Sequence, residues 1–351
     1  MFRRENNKFV KTAGVVPPGL TAEERNSSYN GLPMTVVLAL IVSVATIFFS
    51  MRIYVRSTLL KRLGWDDAVC TLALIGTITN VVCFGLNSVS GPYGKHLWNV
   101  SLAEFVGERL ATIQYVMQVS TTPTLGLIKL SIFMLYYDIF NVLSWVRWMI
   151  RISAALSSAF YLALTIFNFY VMTPRSGQTI AQRFGSEAVI EAAKVSIPTT
   201  SVGLGIDIIL FLMPFIVIFR LQMKRDQKIR ASMAFIFGFL AILGSTLSLV
   251  FKVRTYGNPD PTYHIILVSF FLNVEMSFGV CIASMPMVYR AAKQHGFKFV
   301  TFFDGFSSSF VHLRSRILHK SNSEHKLTIG SDEERTSESV EKESVSIRNT
   351  E

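Results

Sequence analysis

Long apolar runs separated by short polar connectors set the pattern of this chain. The clearest example extends from Asp207 to Leu243, where two apolar runs flank an eleven-residue connector rich in lysine and arginine. Each run approaches the roughly 20 residues that a helix needs to cross a bilayer. Because the connector can only be a hydrated turn between the runs, this stretch predicts a pair of membrane-spanning helices.

The same pattern recurs along the chain and predicts seven spanning helices. Asp66 and Asp67 open the second helix, where the free N–H groups of a helix start favour carboxylates. The fold class expected is an all-α membrane protein, a seven-helix bundle within residues 33–290. The expected spans are about 33–51, 66–88, 111–137, a fourth ending near 172, 202–219, 231–251 and 263–285.

Two tails of different composition flank this domain. Residues 1–32 are polar, lack the apolar segment of a signal peptide and are expected to form an extracytoplasmic tail, on the grounds of orientation given below. Residues 291–351 are expected to form a cytoplasmic tail. It begins with a basic and aromatic segment suited to the membrane interface and ends with an acidic, serine-rich segment that cannot bury a core. Within the longest connector, residues 186–197 are expected to form a surface helix.

The composition supports a membrane protein. Only 16 % of the 351 residues are charged and 50 % are hydrophobic, whereas about 25 % are charged in a typical soluble domain. The net charge of +11 comes from basic residues placed between apolar runs. This placement is typical of charge sorting across a bilayer. We therefore expect a lipid bilayer as partner and no nucleic acid.

Basic residues near the spans predict the orientation, because short loops rich in lysine and arginine stay in the cytoplasm. The side that holds the C-terminus has thirteen such residues and the other side has eight. Both glycosylation sequons, at Asn26 and Asn99, fall on the less basic side. We expect the N-terminus outside, the C-terminus inside and residence in the plasma membrane.

Three ionisable residues within the apolar runs are candidates for function, because charges inside a membrane are unfavourable and rarely incidental. Lys129 is expected at a depth where it forms a structural ion pair with Asp66 or Asp67. Asp207 and Glu275 are interpreted as ligand or switch residues at the centre of the bundle. The alternative for Glu275 is a purely structural acid, hydrogen-bonded between helices.

Small residues and prolines predict local helix geometry. Pro123, Pro214 and Pro286 lie within or at the end of spans, where proline removes a backbone hydrogen bond and kinks a helix. Gly244 and Ser248 are four residues apart in the sixth span, a spacing that favours close approach of a neighbouring helix.

The sequence shows no motif of an enzyme. It has no HExxH, GxSxG, P-loop or CxxC sequence, and its six histidines are not paired along one helix. The expected seventh span contains no lysine for a retinal Schiff base. We therefore expect neither a catalytic residue, nor a metal site, nor a cofactor.

Six ordered motifs resemble those of the fungal rhodopsin-domain family, a group of seven-helix membrane proteins that includes receptor-like sensors of plant pathogens. The motifs are LGWDD at 63–67, GPYGKHLW at 91–98, LIKLSIFMLYYDIF at 127–140, GIDIILFLMP at 205–214, KIRASMAFIFGFLA at 228–241 and VEMSFGVCIASMP at 274–286. The resemblance implies seven-helix topology without implying retinal. Asp138 departs from it, since the family usually has an arginine at this position.

Two functional hypotheses follow. The first is a receptor-like sensor whose outward-facing pocket binds an unknown small-molecule or surface ligand and whose inner surface meets a G protein or another signalling partner. That surface would consist of Arg220, Lys224, Arg225, Lys228 and Arg230. The alternative is a transporter or an accessory protein of a secondary-metabolite pathway. A transporter usually shows internal repeats, and none is visible in this sequence.

Overall fold

The computed structural model describes residues 2–5, 8–11, 13–14, 16, 31–140, 144–220, 225–255 and 260–294. Seven long α-helices make up most of these residues. They are α1 (Gly31–Tyr54), α2 (Trp65–Val89), α3 (Glu108–Ile139), α4 (Ser144–Met172), α5 (Ser196–Arg220), α6 (Arg225–Thr255) and α7 (Pro261–Gln294).

Short elements accompany the long helices. A π-helical turn, Val55–Leu59, prolongs α1. Between α2 and α3 lie a 3-10 turn and one helical turn, and two short helices lie between α4 and α5. Two strands near the N-terminus pair antiparallel, an element that the sequence analysis did not predict. The short elements are β1 (Phe2–Glu5), β2 (Lys8–Lys11), Leu97–Asn99, Leu102–Phe105, Ile180–Phe184 and Glu187–Lys194.

Seven helical segments among the described residues are long and apolar enough to span a membrane, which confirms the predicted fold class. Consecutive spanning helices cross in opposite directions. We call the side where α1 begins the N-terminal side and the side where α1 ends the far side. α3, α5 and α7 therefore run towards the far side, and α2, α4 and α6 return from it. The orientation of these sides relative to the cytoplasm stays a prediction. Residues 291–294 of the predicted C-terminal tail belong to α7, and the rest of that tail lies outside the described residues.

The helices are longer than the predicted spans. The expected eleven-residue turn between α5 and α6 is wrong in extent, because α5 continues to Arg220 and α6 begins at Arg225. With 31 residues α6 is about 46 Å long, whereas the apolar layer of a bilayer is about 30 Å thick. A helix keeps its backbone hydrogen bonds beyond the apolar layer, so its polar end turns cannot be read from hydropathy.

Helix α7 is the most enclosed element of the bundle. In the most apolar 18-residue stretch of α7, 67 % of the residues are buried. The corresponding fractions are 17 % for α4 and 11 % for α1. Met276, Val280 and Cys281 of α7 belong to the main apolar cluster, together with Ile128 and Phe133 of α3. Residues on α7 are therefore placed to touch most other helices.

The predicted close contact at Gly244 and Ser248 is confirmed. A Cβ atom on Gly244 would lie 3.3 Å from the Phe271 carbonyl oxygen and 3.4 Å from the Glu275 backbone nitrogen. The Ser248 hydroxyl donates to the Val268 carbonyl over 3.3 Å. The α6 backbone thus lies against α7 at the level of Glu275.

Candidate functional site

Lys129 lies at the centre of the bundle with 2 % of its surface exposed. Its Nζ donates to Asp207 Oδ1 over 2.6 Å and to the Gly203 carbonyl over 3.1 Å. Glu275 Oε1 is 3.8 Å from the same nitrogen, and the Tyr161 ring centroid is 5.5 Å away. One ammonium group therefore connects α3, α4, α5 and α7.

The local sequence explains how these groups meet. Gly203 and Asp207 are four residues apart on α5 and so lie on one face of that helix. A Cβ atom on Gly203 would lie 3.1 Å from the Tyr161 hydroxyl. Because Gly203 has no side chain, that hydroxyl can lie close to the α5 backbone. The buried hydroxyl of Ser245 on α6 lies next to Glu275. Tyr161 and Gly203 were missed by the sequence analysis.

The predicted pairing of Lys129 with Asp66 or Asp67 is wrong. Lys129 lies ten residues before the end of α3, about 15 Å from the far side, whereas Asp66 and Asp67 belong to the first turn of α2 on that side. The prediction placed Lys129 too close to the helix end. The structure brings Lys129 together with Asp207 and Glu275, which the sequence had identified separately.

Asp66 and Asp67 instead bind two arginines at the end of α1. Arg52 Nε donates to Asp67 over 2.9 Å and Arg52 Nη2 to Asp66 over 2.6 Å. The third nitrogen, Nη1, donates to the Ala283 carbonyl on α7 over 2.5 Å. Arg56, one turn further along, binds Asp66 with both terminal nitrogens. We call Arg52, Arg56, Asp66 and Asp67 the arginine network.

Two further features belong to the arginine network. Asp67 also accepts the Gly64 backbone N–H over 3.0 Å, so it caps α2 as the sequence predicted. Asp138, which stands where the resemblance implies an arginine, lies 3.8 Å from Arg56 with 62 % of its side chain exposed. The substitution therefore adds a carboxylate to a cluster that an arginine would make more basic.

We call Lys129, Asp207 and Glu275 the Lys129 cluster, and a cavity lies beside it. Its volume is about 30 Å³, and the empty space around it, including the open part, is about 450 Å³. The charged groups in its wall are Lys129, Asp207 and Glu275. The rest is almost entirely apolar or aromatic: Leu125, Ile128, Ile132, Tyr136, Leu210, Phe211, Gly238, Ala241, Ile242, Gly279 and Ile282.

The position of the cavity differs from the expected outward-facing pocket. Ile132 and Tyr136 follow Lys129 on α3, Leu210 follows Asp207 on α5, and Ile282 follows Glu275 on α7. Since these three helices run away from the N-terminal side, the apolar part of the cavity extends from the charged cluster towards the far side. Under the predicted orientation, that is the cytoplasmic half of the membrane.

A second polar cluster joins two connectors on the N-terminal side. The His96 imidazole hydrogen-bonds Asp260 and stacks between the rings of Trp98 and Tyr263, with centroids 4.4 and 4.1 Å away. Asp260 also accepts the Leu97 N–H over 2.9 Å. These contacts attach the GPYGKHLW connector to the start of α7, and no sequence spacing had indicated them.

Tyr93 belongs to the same connector. Its hydroxyl accepts a hydrogen bond from Gln114 of α3 over 2.6 Å. Burial raises the pKa of Tyr93 to about 12, so the hydroxyl stays neutral at physiological pH. Together with the His96 contacts, this bond attaches the connector to α3 and α7 on the N-terminal side.

The other predicted site residues are placed as follows. Arg220 ends α5, and Arg225, Lys228 and Arg230 lie in the first turns of α6, whereas Lys224 lies outside the described residues. Asn99 ends the 3-10 turn and is half-buried, and Asn26 lies outside the described residues. Their roles in partner binding and glycosylation stay predictions.

Within the described part of the chain, no group of three or more His, Cys, Asp or Glu side chains is placed to hold a metal ion. The candidate seventh span, Thr262–Ala291, contains no lysine, and Lys293 lies in the last turn of α7 beyond it.

Comparisons with known proteins bear on the family. The chain is 23 % identical over 274 residues to the Fugralins biosynthesis cluster protein 2 of Gibberella zeae, a match that covers 74 % of this chain and 65 % of the relative. It is 25 % identical over 246 residues to a SAT4 family membrane protein of Emericella nidulans, covering 67 % and 57 %. The matches thus span less than two thirds of either relative.

The model of the fungal rhodopsin domain family matches residues 51–294, which is more than half of the chain. The matched region contains the arginine network, the Lys129 cluster and the GPYGKHLW connector with His96. It also contains all six motifs on which the resemblance was based. The chain therefore belongs to the fungal rhodopsin domain family.

Proposed function

We propose that this protein is a receptor-like membrane sensor that binds a small molecule beside Lys129, Asp207 and Glu275. The observation that carries the proposal is a buried ion cluster in the wall of a cavity formed by α3, α5, α6 and α7. A ligand that binds one arrangement of these helices better than another shifts the bundle towards that arrangement.

The contacts of α7 support the transmission of a conformational change from the cavity to the far side. Glu275 and Ala283 are eight residues apart on α7, about 12 Å. Glu275 faces the cavity, and the Ala283 carbonyl is bound by Arg52. Pro286, three residues beyond Ala283, has no backbone N–H to stabilise the helix there. A ligand that moves α7 at Glu275 would therefore change the bond between the Ala283 carbonyl and Arg52 of the arginine network.

The partner in this proposal is a G protein or another signalling protein on the far side. The basic residues at the α5–α6 junction support an acidic partner surface. The proposal also places the protein in the plasma membrane with the far side in the cytoplasm, in keeping with the lysine and arginine distribution. A fluorescent fusion confined to internal membranes would contradict that location.

The test is complementation of a gene deletion by the parent, by Glu275→Gln and by the surface control Glu191→Gln. Glu191 lies on a short helix with its side chain 58 % exposed. We expect Glu275→Gln to reach the same membrane in the same amount as the parent. The surface response, by which we mean the response of the cells to contact with an external surface, should be the same as in the deletion strain. Full complementation by Glu275→Gln would show that Glu275 is structural and would remove the sensor proposal.

A second candidate function is a role in the production or movement of a secondary metabolite. It is favoured by the relative that is named a biosynthesis cluster protein. The same strains separate the two functions through metabolite profiles of cells and medium. Loss or internal accumulation of a metabolite in the deletion strain, with an unchanged surface response, would favour the metabolite pathway.

A further inference from the structure

We propose that the ligand of the cavity carries a protonated amine on a compact apolar body, with the ammonium group between Asp207 and Glu275. This inference rests on the proposed function, since it names the chemical class of the molecule that the cavity binds. Three observations support it: the charges in the cavity wall, the hydrogen-bond acceptors that remain there, and the shape of the space.

The charges in the wall favour a cation. Asp207 and Glu275 lie 2.6 and 3.8 Å from the single ammonium of Lys129. Two carboxyl groups thus face one ammonium in the cavity wall, and ionising both would leave one negative charge in excess, which is strongly unfavourable in a low-dielectric interior. Lys252 of α6 interacts electrostatically with Glu275, but it does not line the cavity and its Nζ donates to Thr200 over 2.7 Å. A cation bound in the cavity would allow both carboxyl groups to ionise beside Lys129, whereas a bound anion would oppose their ionisation.

The remaining acceptors match an ammonium group. The Lys129 ammonium donates to Asp207 Oδ1, whereas no donor bonds the buried Asp207 Oδ2 atom in the described structure, and the Glu275 carboxyl group lies next to Asp207. Glu275 Oε1 is too far from Lys129 for a normal hydrogen bond. A primary ammonium has three N–H donors and can serve both carboxylates at once, while an alcohol has one.

The shape of the space fits a small polar head on a larger apolar part. A volume of about 30 Å³ holds one or two water-sized groups, which is enough for an ammonium. The wall of the space continues along Ile132, Leu210 and Ile282, whose side chains offer no hydrogen bonds. A compact hydrocarbon or aromatic body would lie there, directed towards the far side.

The test measures thermal unfolding of the full chain in detergent with benzylamine, benzyl alcohol and benzoate, which share a ring and differ in charge. At neutral pH we expect benzylamine to raise the unfolding temperature in a saturable manner, with affinity about tenfold or more above that of benzyl alcohol. Benzoate should not bind in the cavity. Since the net charge of +11 attracts anions to the surface, selectivity for the amine cannot come from the overall field.

Two variants locate the binding. Ala241→Leu fills the cavity from α6 without removing a charged group and should abolish the effect of benzylamine. Asp207→Asn should weaken benzylamine at least tenfold; if this variant does not fold, Ala241→Leu decides the question alone. Glu191→Gln should bind as the parent does.

Several results would overturn the inference. Equal or tighter binding of benzyl alcohol or benzoate would reject the amine, while the cavity would remain a ligand site. Stabilisation of Ala241→Leu by benzylamine to the same extent as the parent would place binding elsewhere. Absence of binding by all three probes would also reject a compact amine. The cellular response of Glu275→Gln is measured separately, so the sensor proposal can survive each of these failures.

Discussion

At the scale of single residues, Lys129 shows how one buried cation can hold several helices. Its partners come from α5 and α7, and the Tyr161 ring of α4 lies beside it. Sequence alone indicated that Lys129, Asp207 and Glu275 were unusual, because each interrupts an apolar run. It could not indicate which of them meet, since that depends on the rotation of each helix and on depth to within one turn.

We predict that Lys129→Met destabilises the protein by about 3–5 kcal/mol, because it leaves two buried carboxylates without their cation. The matched control is Lys194→Met. Lys194 lies 2.5 Å from Glu191, but both side chains are more than half exposed, so its removal should cost about 0–1 kcal/mol. Thermal or denaturant unfolding in detergent measures both variants. Equal stability of the two would mean that the Lys129 cluster contributes no net stabilisation.

The arginine network gives a second prediction at this scale. In Arg52→Lys a single ammonium replaces three nitrogens that reach Asp66, Asp67 and the Ala283 carbonyl. We expect a loss of about 1–3 kcal/mol for each buried acceptor left without a partner. In the control Arg151→Lys, the arginine donates to the exposed Tyr137 hydroxyl over 2.7 Å, and little change is expected. A parent-like melting temperature for Arg52→Lys would show that water or lysine replaces the lost bonds.

At the scale of elements, the contact of α6 with α7 depends on Gly244. The sequence predicted this contact because small residues four apart present a flat helix face. It did not predict that the contact lies against Glu275, which places the close approach at the level of the ion cluster. Spacing along one helix shows that a neighbour is close but does not show which neighbour it is.

Gly244→Leu should separate α6 from α7, because the leucine side chain would overlap with backbone atoms of α7. We expect a loss of about 1–3 kcal/mol or more from overpacking and a lower yield of monodisperse protein. The control is Gly205→Leu on α5, where a Cβ atom meets no atom within 4 Å. That variant should stay within about 0.5 kcal/mol of the parent. If both variants lose the same stability, a general effect of the larger side chain on membrane insertion rather than the α6–α7 contact is responsible, because leucine favours a helix more than glycine does.

At the scale of the whole molecule, the sequence predicted seven spanning helices, because each apolar run is long enough to cross a bilayer. It underestimated the helices at their ends, since polar residues continue a helix as well as apolar ones do. The connector between α2 and α3 was treated as a loop. The structure attaches it to α7 through His96 and Asp260, whose positions are 164 residues apart.

The orientation can be tested with cysteines, because Cys70, Cys83 and Cys281 are all buried. Lys95 and Arg62 are exposed in connectors on opposite sides of the bundle. We expect a membrane-impermeant maleimide to label Lys95→Cys in intact cells and Arg62→Cys only after permeabilisation. The reverse pattern would invert the predicted orientation and place the apolar part of the cavity in the outer half of the membrane.

The two ion clusters also differ in when they can form during synthesis. All four charged groups of the arginine network lie between residues 52 and 67, so the α1–α2 hairpin carries its own counter-ions as it leaves the ribosome. Lys129 has to wait for Asp207, which is synthesised 78 residues later. Until α5 is inserted, the nascent chain would hold an uncompensated cation in the bilayer. Protein quality control would then recognise unfinished chains by this charge. A chain ending at residue 195 should then be degraded more slowly in a pulse-chase experiment when it carries Lys129→Met, and equal half-lives would show that this charge is not recognised.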